Sequence, residues 1–179
     1  DNGVQALYAP VANSTSVAET ALLLMLECSR NVTVLHKTWV NDFYKAKLKV
    51  RKNTLNGKTV GIVGCGNIGS RVAKRCLAME MNVLCYDPYK PAKDFPDGVE
   101  VVRDLDRILT ESDYVSLHAP NTPVTRNMIN KETLAKMKPT AFLINTARGA
   151  LVVEEDLYEA CKDGVIAGAG LDAIRKEPV

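Results

Sequence analysis

Residues 59–69, TVGIVGCGNIG, decide the fold, because a short apolar run leads straight into a glycine-rich turn and then into a helical pattern. In such a turn Gly64 permits the tight bend, Gly66 lets a phosphate approach the backbone, and Gly69 lets the helix pack closely against the strand. The first N–H groups of the helix have no partner within it and lie at its positive end, so they favour an anion. The stretch therefore predicts a phosphate-binding turn between a strand and a helix.

An acidic residue follows the next apolar run at the distance that a dinucleotide site requires. Asp87 stands directly after NVLCY at 82–86, eighteen residues beyond Gly69. Its carboxylate can accept hydrogen bonds from an adenine ribose and would repel a 2′-phosphate, so NAD is favoured over NADP. A glycine-rich turn that binds nothing is the simpler alternative, and the strand, helix and acid in register argue against it.

The rest of the sequence alternates between short apolar runs and helical patterns. The predicted strands are continuously apolar, as expected when helices cover both faces of a parallel sheet. Gly164 stands just after the helix predicted at 154–163, where a helix end favours a left-handed residue. Pro139 is expected to stop the helix predicted at 131–137. We therefore predict a doubly wound α/β domain of the Rossmann type. Its strands are predicted at 59–63, 82–86, 99–102, 113–117, 141–145 and 165–171, and its helices at 68–79, 104–112, 131–137 and 154–163.

One long helix is predicted before this core, from Ser16 to about His36, with Ser16 and Glu19 in capping-box spacing. Residues 22–26, LLLML, are apolar around most of the helix, so more than one face must be covered. Burial within the domain and a seam to another domain or subunit both fit this pattern. The second alternative predicts a homodimer through the 16–36 helix.

Composition and charge narrow the class of protein. The 179 residues are the size of one domain, and 46% hydrophobic with 25% charged residues is typical of a globular chain. The net charge of +2 indicates no large electrostatic field that would attract nucleic acid or an anionic membrane. The basic run 45–52, KAKLKVRK, is interpreted as a solvated connection. The five cysteines lack metal-ligand spacing, and the sequence has neither a signal-peptide pattern nor an apolar run long enough for a bilayer. We therefore expect a cytoplasmic protein without a metal, a nucleic-acid partner or a membrane partner.

Three further segments resemble one enzyme family. They are Leu117-His118-Ala119-Pro120, NTARG at 145–149, and GLD at 170–172 leading to Glu177-Pro178. With the glycine-rich turn, they make nearly the whole chain similar to the NAD-binding domain of the D-isomer-specific 2-hydroxy-acid dehydrogenases, such as D-lactate and D-3-phosphoglycerate dehydrogenases. The resemblance implies an oxidoreductase that transfers a hydride between NAD and a D-2-hydroxy acid or its 2-oxo acid.

The resemblance also implies two catalytic residues. Arg148, just after a predicted strand, would use its guanidinium to bind the substrate carboxylate or to polarise the substrate carbonyl. Glu177 would be the acidic partner that orients an imidazole and raises its pKa. His118 would lie beside the cofactor or be a structural histidine, and in neither case is it expected to be the acid/base residue.

The same resemblance implies which residues contact NAD. Asn67 and Ile68 would lie against the pyrophosphate, Thr146 and Ala147 along the nicotinamide ring, and Asp172 at the carboxamide. His118 and Ala119 would flank the cofactor at a strand end, and Thr125 in the loop after them is a further candidate. The complete predicted set is Gly64, Gly66, Asn67, Ile68, Gly69, Asp87, His118, Ala119, Thr125, Thr146, Ala147, Arg148 and Asp172.

The sequence departs from the family pattern near its ends. The family's acid/base histidine lies beyond the glutamate in a PHxxG-like segment, and these 179 residues contain neither it nor the small substrate domain. Residues 1–13 are therefore interpreted as a remnant of that absent domain or a link to it, and 14–179 as the NAD-binding domain. We expect this polypeptide to bind NAD but to turn over negligibly by itself. Val153 replaces a usual Asp, so the helix at 154–163 is expected to lack a cap or to take one from Glu154.

Two other functions fit less of the sequence. NAD-sensing corepressors of the C-terminal-binding-protein type share this domain and the Tyr86-Asp87-Pro88-Tyr89 run. A cofactor domain from another NAD-using enzyme would explain Arg148 and Glu177 poorly. The Ala173-Ile174-Arg175 segment differs from the family's usual one, so the sequence does not identify the 2-hydroxy acid.

Overall fold

The computed structural model describes residues 11–44 and 53–175. Six parallel strands form one sheet in the order β3-β2-β1-β4-β5-β6, which confirms the predicted doubly wound fold. The chain runs outward from β1 to β3 and then returns to place β4 beside β1, so the strand order reverses between these two strands. A crevice at the carboxyl ends of β1 and β4 follows from this reversal. The strands are β1 (Thr59–Val63), β2 (Asn82–Tyr86), β3 (Glu100–Val102), β4 (Tyr114–Leu117), β5 (Phe142–Asn145) and β6 (Gly168–Leu171).

Helices cover both faces of this sheet, and each face has its own apolar core. One core joins Met25 and Val72 to Ile62, and the other joins Leu109 and Leu157 to the sheet. Two short 3-10 helices occur at Ala92–Asp94 and Gly149–Leu151. The α-helices are α1 (Ser14–Arg30), α2 (Val32–Asn41), α3 (Asn67–Ala78), α4 (Leu105–Glu111), α5 (Lys131–Leu134) and α6 (Glu154–Lys162).

The prediction of one long helix from Ser16 to His36 is wrong. The structure breaks it at Asn31, which has φ 51° and ψ 45° in the left-handed region that asparagine tolerates. The Asn31 N–H still donates to the Glu27 carbonyl at 2.7 Å, and the Glu27 carboxylate accepts the Thr33 N–H at 2.9 Å at the start of α2. A single residue therefore ends α1 and begins α2.

The predicted capping box of Ser16 and Glu19 is also wrong. The α1 helix begins at Ser14, its N-cap Asn13 makes no side-chain cap hydrogen bond, and the Ser16 hydroxyl donates to the Asn13 carbonyl at 2.9 Å. The Glu19 carboxylate forms an ion pair with Arg75 of α3 at 3.4 Å. Ser16 therefore bonds within the first turn of α1, and Glu19 connects α1 with α3.

Burial within the domain is confirmed for one face of α1, and the seam to another domain or subunit stays a prediction. Ala18, Ala21 and Met25 are fully buried, and α1 packs against α3, β5 and β6. Leu23, in contrast, is 63% exposed, and no residue of α2 is buried. One face of α1 therefore belongs to the core of the domain while another face stays uncovered.

Several predicted ends shift by a few residues. The predicted strand 165–171 begins only at Gly168, because the N–H groups of Val165 and Ile166 both donate to the Ala160 carbonyl and continue the turn after α6. The left-handed φ of +71° at Gly164 confirms the predicted helix end.

The caps of the two last helices were only partly foreseen. The α5 helix is shorter than the predicted 131–137, ends before Pro139, and starts with a capping box of Asn130 and Thr133 that the sequence analysis missed. At the start of α6, Val153 provides no side-chain cap. The Glu154 carboxylate accepts the Arg175 N–H at 2.6 Å.

Three predicted features lie outside the described residues. They are residues 1–10 of the predicted segment 1–13, the basic run 45–52 and the end 176–179 with Glu177. Within residues 11–44 and 53–175, no helix combines the length and apolarity that crossing a membrane requires. The same residues contain no cluster of His, Cys, Asp and Glu that could hold a metal ion.

Candidate functional site

The glycine-rich turn lies between the end of β1 and the start of α3. Gly64 has a φ of +90°, and an added Cβ atom would lie 2.8 Å from the backbone of both His118 and Ala119. Only glycine fits there, because the backbone conformation and the neighbouring chain both exclude a side chain. At Gly69 an added Cβ would overlap the Gly64 carbonyl oxygen, so α3 begins in direct contact with the turn. These two glycines set the shape of the turn.

Gly66 differs from them because it faces open space. Apart from its own chain neighbours, no described residue has a heavy atom within 4 Å of the position that its Cβ would take. It is also the N-cap of α3 and makes no side-chain cap hydrogen bond, so the N–H groups of the first turn at Asn67 and Ile68 keep free donor capacity. Space and donors at the positive end of this 12-residue helix fit a pyrophosphate.

Asp87 follows β2 beside this turn, where the sequence predicts an acid. Its Oδ2 accepts a hydrogen bond from the Cys65 N–H at 3.0 Å, and its Oδ1 accepts one from the Tyr89 N–H at 3.1 Å. Each carboxylate oxygen keeps a second lone pair and can still accept from the hydroxyls of a ribose. The carboxylate therefore ties the phosphate turn to the end of β2 and still presents acceptors to a ligand.

Two cations that the sequence analysis did not single out support this corner. Lys90 donates to the Cys65 carbonyl at 2.6 Å, and Arg103 donates to the carbonyls of Asp87 at 2.8 Å and of Lys90 at 3.1 Å. A hydrogen bond with the Cys85 thiol lowers the pKa of Cys65 to about 7, and burial of the Cys65 thiol opposes this shift. These contacts hold the phosphate turn and the 87–90 segment together.

A cavity of about 330 Å³ opens beside Asp87, and its walls are mostly apolar. Tyr89 is 83% exposed and Val124 is 77% exposed at this place. Apolar walls with one carboxylate fit an adenine ring and its ribose. These walls were not predicted from the sequence, because they come from separate segments that meet only in the folded chain. They include Pro88, Tyr89, Leu105, Pro120, Val124 and Met128.

Thr125 lines this smaller cavity and is part of the loop that follows β4. Its hydroxyl donates to the Pro120 carbonyl at 2.6 Å and accepts a hydrogen bond from the Thr122 N–H at 2.9 Å. These local bonds indicate that Thr125 shapes the loop.

A larger cavity of about 620 Å³ brings most of the remaining predicted residues together at the carboxyl edge of the sheet. It extends from the phosphate turn to the loop that follows β5. The start of α1 also contributes to it, which the sequence analysis did not foresee. The predicted residues that line it are Gly66, Asn67, Ile68, His118, Ala119, Thr146, Ala147 and Arg148, and the residues missed are Asn13, Ser14, Val17, Pro120 and Asn121.

His118 lies in the wall of this larger cavity and is held from one side. Its Nε2 lies 2.9 Å from the Ser116 hydroxyl, and its buried Nδ1 has no hydrogen-bond partner in the described part of the chain. Burial lowers the pKa of His118 to about 4, because the charged ring would lose its hydration. The ring is therefore neutral near pH 7. The Oγ1 of Thr146 is likewise buried and unpaired among the described residues, and such groups are typical of binding sites.

Arg148 is exposed and follows β5 by three residues. Its guanidinium donates to the neighbouring Ala147 carbonyl at 2.6 Å, and no carboxylate among the described residues forms an ion pair with it. Such a cation at the edge of the cavity is free to bind the carboxylate of a small acid.

The last two predicted site residues are Asp172 and Glu177. Asp172 follows β6 and donates its backbone N–H to the Asn145 carbonyl at 2.9 Å, but it does not line the cavity. Glu177 lies outside the described residues.

The sequence matches known proteins of one enzyme family. The family model described as D-isomer specific 2-hydroxyacid dehydrogenase, NAD binding domain, matches residues 22–179 of the sequence. The chain is 45% identical over 178 residues to a hydroxypyruvate reductase of Thermotoga maritima, covering 99% of this chain and 57% of that protein. It is 40% identical to a D-3-phosphoglycerate dehydrogenase of Methanocaldococcus jannaschii, covering 99% of this chain and 34% of that protein. The chain thus spans well under two thirds of the length of these relatives.

Solved structures agree with the sequence relatives. A D-isomer specific 2-hydroxyacid dehydrogenase of Lactobacillus delbrueckii in its NAD complexed form superposes with a TM-score of 0.84 at 36% identity, over 92% of this chain and 50% of that one. A D-lactate dehydrogenase of Aquifex aeolicus complexed with NAD and lactic acid gives a TM-score of 0.84 at 37% identity, over 94% of this chain and 50% of that one.

Proposed function

The chain belongs to the D-isomer specific 2-hydroxyacid dehydrogenase family as its NAD-binding domain, and we propose that it serves hydride transfer between NAD and a D-2-hydroxy acid or its 2-oxo acid. The observation that carries this proposal is the cavity of about 620 Å³ that joins the open phosphate turn at Gly66 to the guanidinium of Arg148. A dinucleotide held at one end of such a cavity leaves room for a small acid at the other end.

We propose a role in that reaction for each polar group. The amides at Asn67 and Ile68 bind the pyrophosphate, Asp87 accepts from the adenine ribose, and Arg148 binds the substrate carboxylate. NAD, when bound, supplies the hydride acceptor or donor. Glu177 would orient an imidazole that exchanges the substrate proton.

Neither histidine of this sequence fits that imidazole. His118 is neutral, with its pKa lowered to about 4 by burial, and His36 on α2 lines a separate cavity. A group with so low a pKa is a poor partner for proton exchange near neutral pH. We therefore expect these 179 residues alone to show negligible turnover even when NAD is bound.

The proposed substrate class is that of small 2-hydroxy and 2-oxo acids. Names among the relatives and structural neighbours include hydroxypyruvate reductase, D-3-phosphoglycerate dehydrogenase and glyoxylate reductase. All relatives reported above are enzymes, so the corepressor alternative is not favoured. A substrate of this class would place its carboxylate at Arg148 and its reacting carbon near the nicotinamide ring.

We also propose that two copies of this domain associate through α1 and α2. Apolar side chains are exposed along both helices, including Leu23 at 63%, Trp39 at 52% and Val40 at 71%. The proposed occupant is a second copy, as expected for the homodimer predicted from the 16–36 helix. Five unpaired cysteines support a reducing compartment, and we propose the cytoplasm.

A titration of the chain with NAD tests the proposed site. The Gly66→Val variant should weaken NAD binding at least about tenfold, because the new side chain fills the space for the pyrophosphate. Folding should be unaffected, since Gly66 has an extended conformation and, apart from its chain neighbours, no described residue lies within 4 Å of its Cβ position. Isothermal titration calorimetry measures the affinity, and thermal melting measures the fold.

A matched control places the same enlargement at the other end of α3. Ala78 is exposed at the last position of that helix, so Ala78→Val should leave NAD binding unchanged. Absence of saturable NAD binding to the folded chain, or equal affinities in Gly66→Val and the original chain, would falsify the proposed site.

A further inference from the structure

One buried side chain holds the turn that carries Arg148. Asn145, the last residue of β5, is fully buried. Its Nδ2 donates to the Arg148 carbonyl at 3.0 Å, and its Oδ1 accepts the Ala147 N–H at 3.1 Å. The orientation of the carboxamide is fixed by these partners, because an N–H can only donate and a carbonyl can only accept. A single amide thus spans the turn 146–148 with both of its functions.

The backbone of Asn145 makes a separate contact that a side-chain substitution leaves in place. Its carbonyl accepts the Asp172 N–H at 2.9 Å and so joins the ends of β5 and β6. Substitution of the carboxamide therefore perturbs the turn 146–148 without removing the link between the strands.

The residues of this turn all face the larger cavity. Thr146, Ala147 and Arg148 line it, and the Arg148 guanidinium donates to the Ala147 carbonyl of the same turn at 2.6 Å. The position of the guanidinium consequently depends on the conformation of the turn. Whatever fixes the turn also fixes the cation relative to the cavity.

We propose that Asn145 is a positioning residue, whose carboxamide sets the turn 146–148 so that it contacts the nicotinamide half of NAD and aims Arg148 at the substrate carboxylate. This inference rests on the proposed function, because it assigns the turn to the nicotinamide end of the dinucleotide. The adenosine and pyrophosphate contacts at Asp87 and Gly66 come from other segments and are independent of Asn145.

Two ligands distinguish the nicotinamide contacts from the adenosine and pyrophosphate contacts. ADP-ribose has the adenosine, the pyrophosphate and the second ribose of NAD but lacks the nicotinamide ring. In Asn145→Ala the dissociation constant for NAD should rise about tenfold, while that for ADP-ribose should stay within about twofold. Asn145→Asp keeps the acceptor for the Ala147 N–H and loses the donor to the Arg148 carbonyl, so it should show the same selective loss.

Hydrogen exchange supplies a second readout for the same variants. In Asn145→Ala, faster amide exchange should be confined to the peptide that contains 146–148, because this turn loses both of its side-chain bonds. In Asn145→Asp, the Ala147 amide should keep its protection.

Asn130 provides a matched control, because it also uses a carboxamide to hold a turn. Its Oδ1 accepts the N–H groups of Glu132 at 3.0 Å and Thr133 at 3.2 Å at the start of α5, and it does not line the cavity. Asn130→Ala should lower the melting temperature and leave the ratio of the NAD and ADP-ribose dissociation constants unchanged.

The outcomes distinguish the inference from the proposed function. Failure of the original chain to bind either ligand would overturn the proposed function itself. If both ligands bind and the Asn145 variants weaken them equally or not at all, the positioning role is wrong. Unfolding of both Asn145 variants would likewise overturn it, since Asn145 would then be a purely structural residue.

Discussion

The protonation of His118 is set by burial alone. Within residues 11–44 and 53–175 no carboxylate compensates the charged ring, so desolvation lowers its pKa from 6.5 to about 4. We expect the ring nitrogen signals of His118 to stay those of a neutral imidazole from pH 8 down to about pH 5 in a ¹⁵N NMR titration. The sequence has only one other histidine, so a His36→Gln variant leaves a single histidine signal and assigns it. An inflection of the His118 signals near neutral pH would contradict the lowered pKa.

The same shift has a consequence for stability. Above pH 6.5 the ring is neutral in both the folded and the unfolded chain, and between pH 6.5 and about 4 only the unfolded chain binds the proton. The free energy of unfolding therefore falls as the pH falls through this window. A His118→Gln variant lacks this contribution, so its free energy of unfolding in urea should decline less between pH 7 and pH 5 than that of the original chain.

Individual residues could be predicted from the sequence where a motif determines their backbone conformation or their position. Gly64 and Gly69 are fixed by a turn whose geometry admits no side chain, and Asp87 is fixed by the end of β2. Tyr89 and Val124 were not predictable as cavity walls, because their proximity depends on two loops that meet only in the folded chain. Asn145 was quoted within a motif, but its two side-chain hydrogen bonds are visible only in the structure.

At the scale of elements, two of the predicted strands have the same ends in the structure. The strands β1 and β2 occupy 59–63 and 82–86 as predicted. The long N-terminal helix was predicted wrongly, because apolar periodicity continues through Asn31 while the backbone does not. Periodicity reports which faces are apolar, and a left-handed residue between two helices leaves that pattern nearly intact.

The break between α1 and α2 predicts unequal effects of two substitutions at Asn31. Asn31→Ala should lower the free energy of unfolding by about 1 kcal/mol, because alanine disfavours the left-handed conformation. Asn31→Gly should be less destabilising, since glycine adopts that conformation without a steric cost. Urea denaturation followed by circular dichroism measures both. Equal losses in the two variants would show that the side chain of Asn31, and not its backbone conformation, maintains the break.

At the scale of the whole molecule, α1 connects the cavity with the exposed apolar patch. Its first turn, at Ser14 and Val17, lines the cavity of about 620 Å³, and its middle packs on the core through Ala21 and Met25. The exposed patch begins farther along, at Leu23, and continues over α2. An interface on this patch would therefore leave the cavity open to ligands.

This arrangement predicts that association and cofactor binding can be separated. Sedimentation equilibrium should show a dimer for the original chain and a monomer for Val40→Glu, because a carboxylate in an apolar interface must be desolvated without a partner. The NAD dissociation constant of the variant should stay within about twofold, since Val40 does not line either ligand cavity. Tyr158→Glu is the matched control, because Tyr158 is an equally exposed side chain, at 65%, on α6 and not on the patch. A monomeric original chain, or dissociation caused equally by Tyr158→Glu, would rule out a dimer built on α1 and α2.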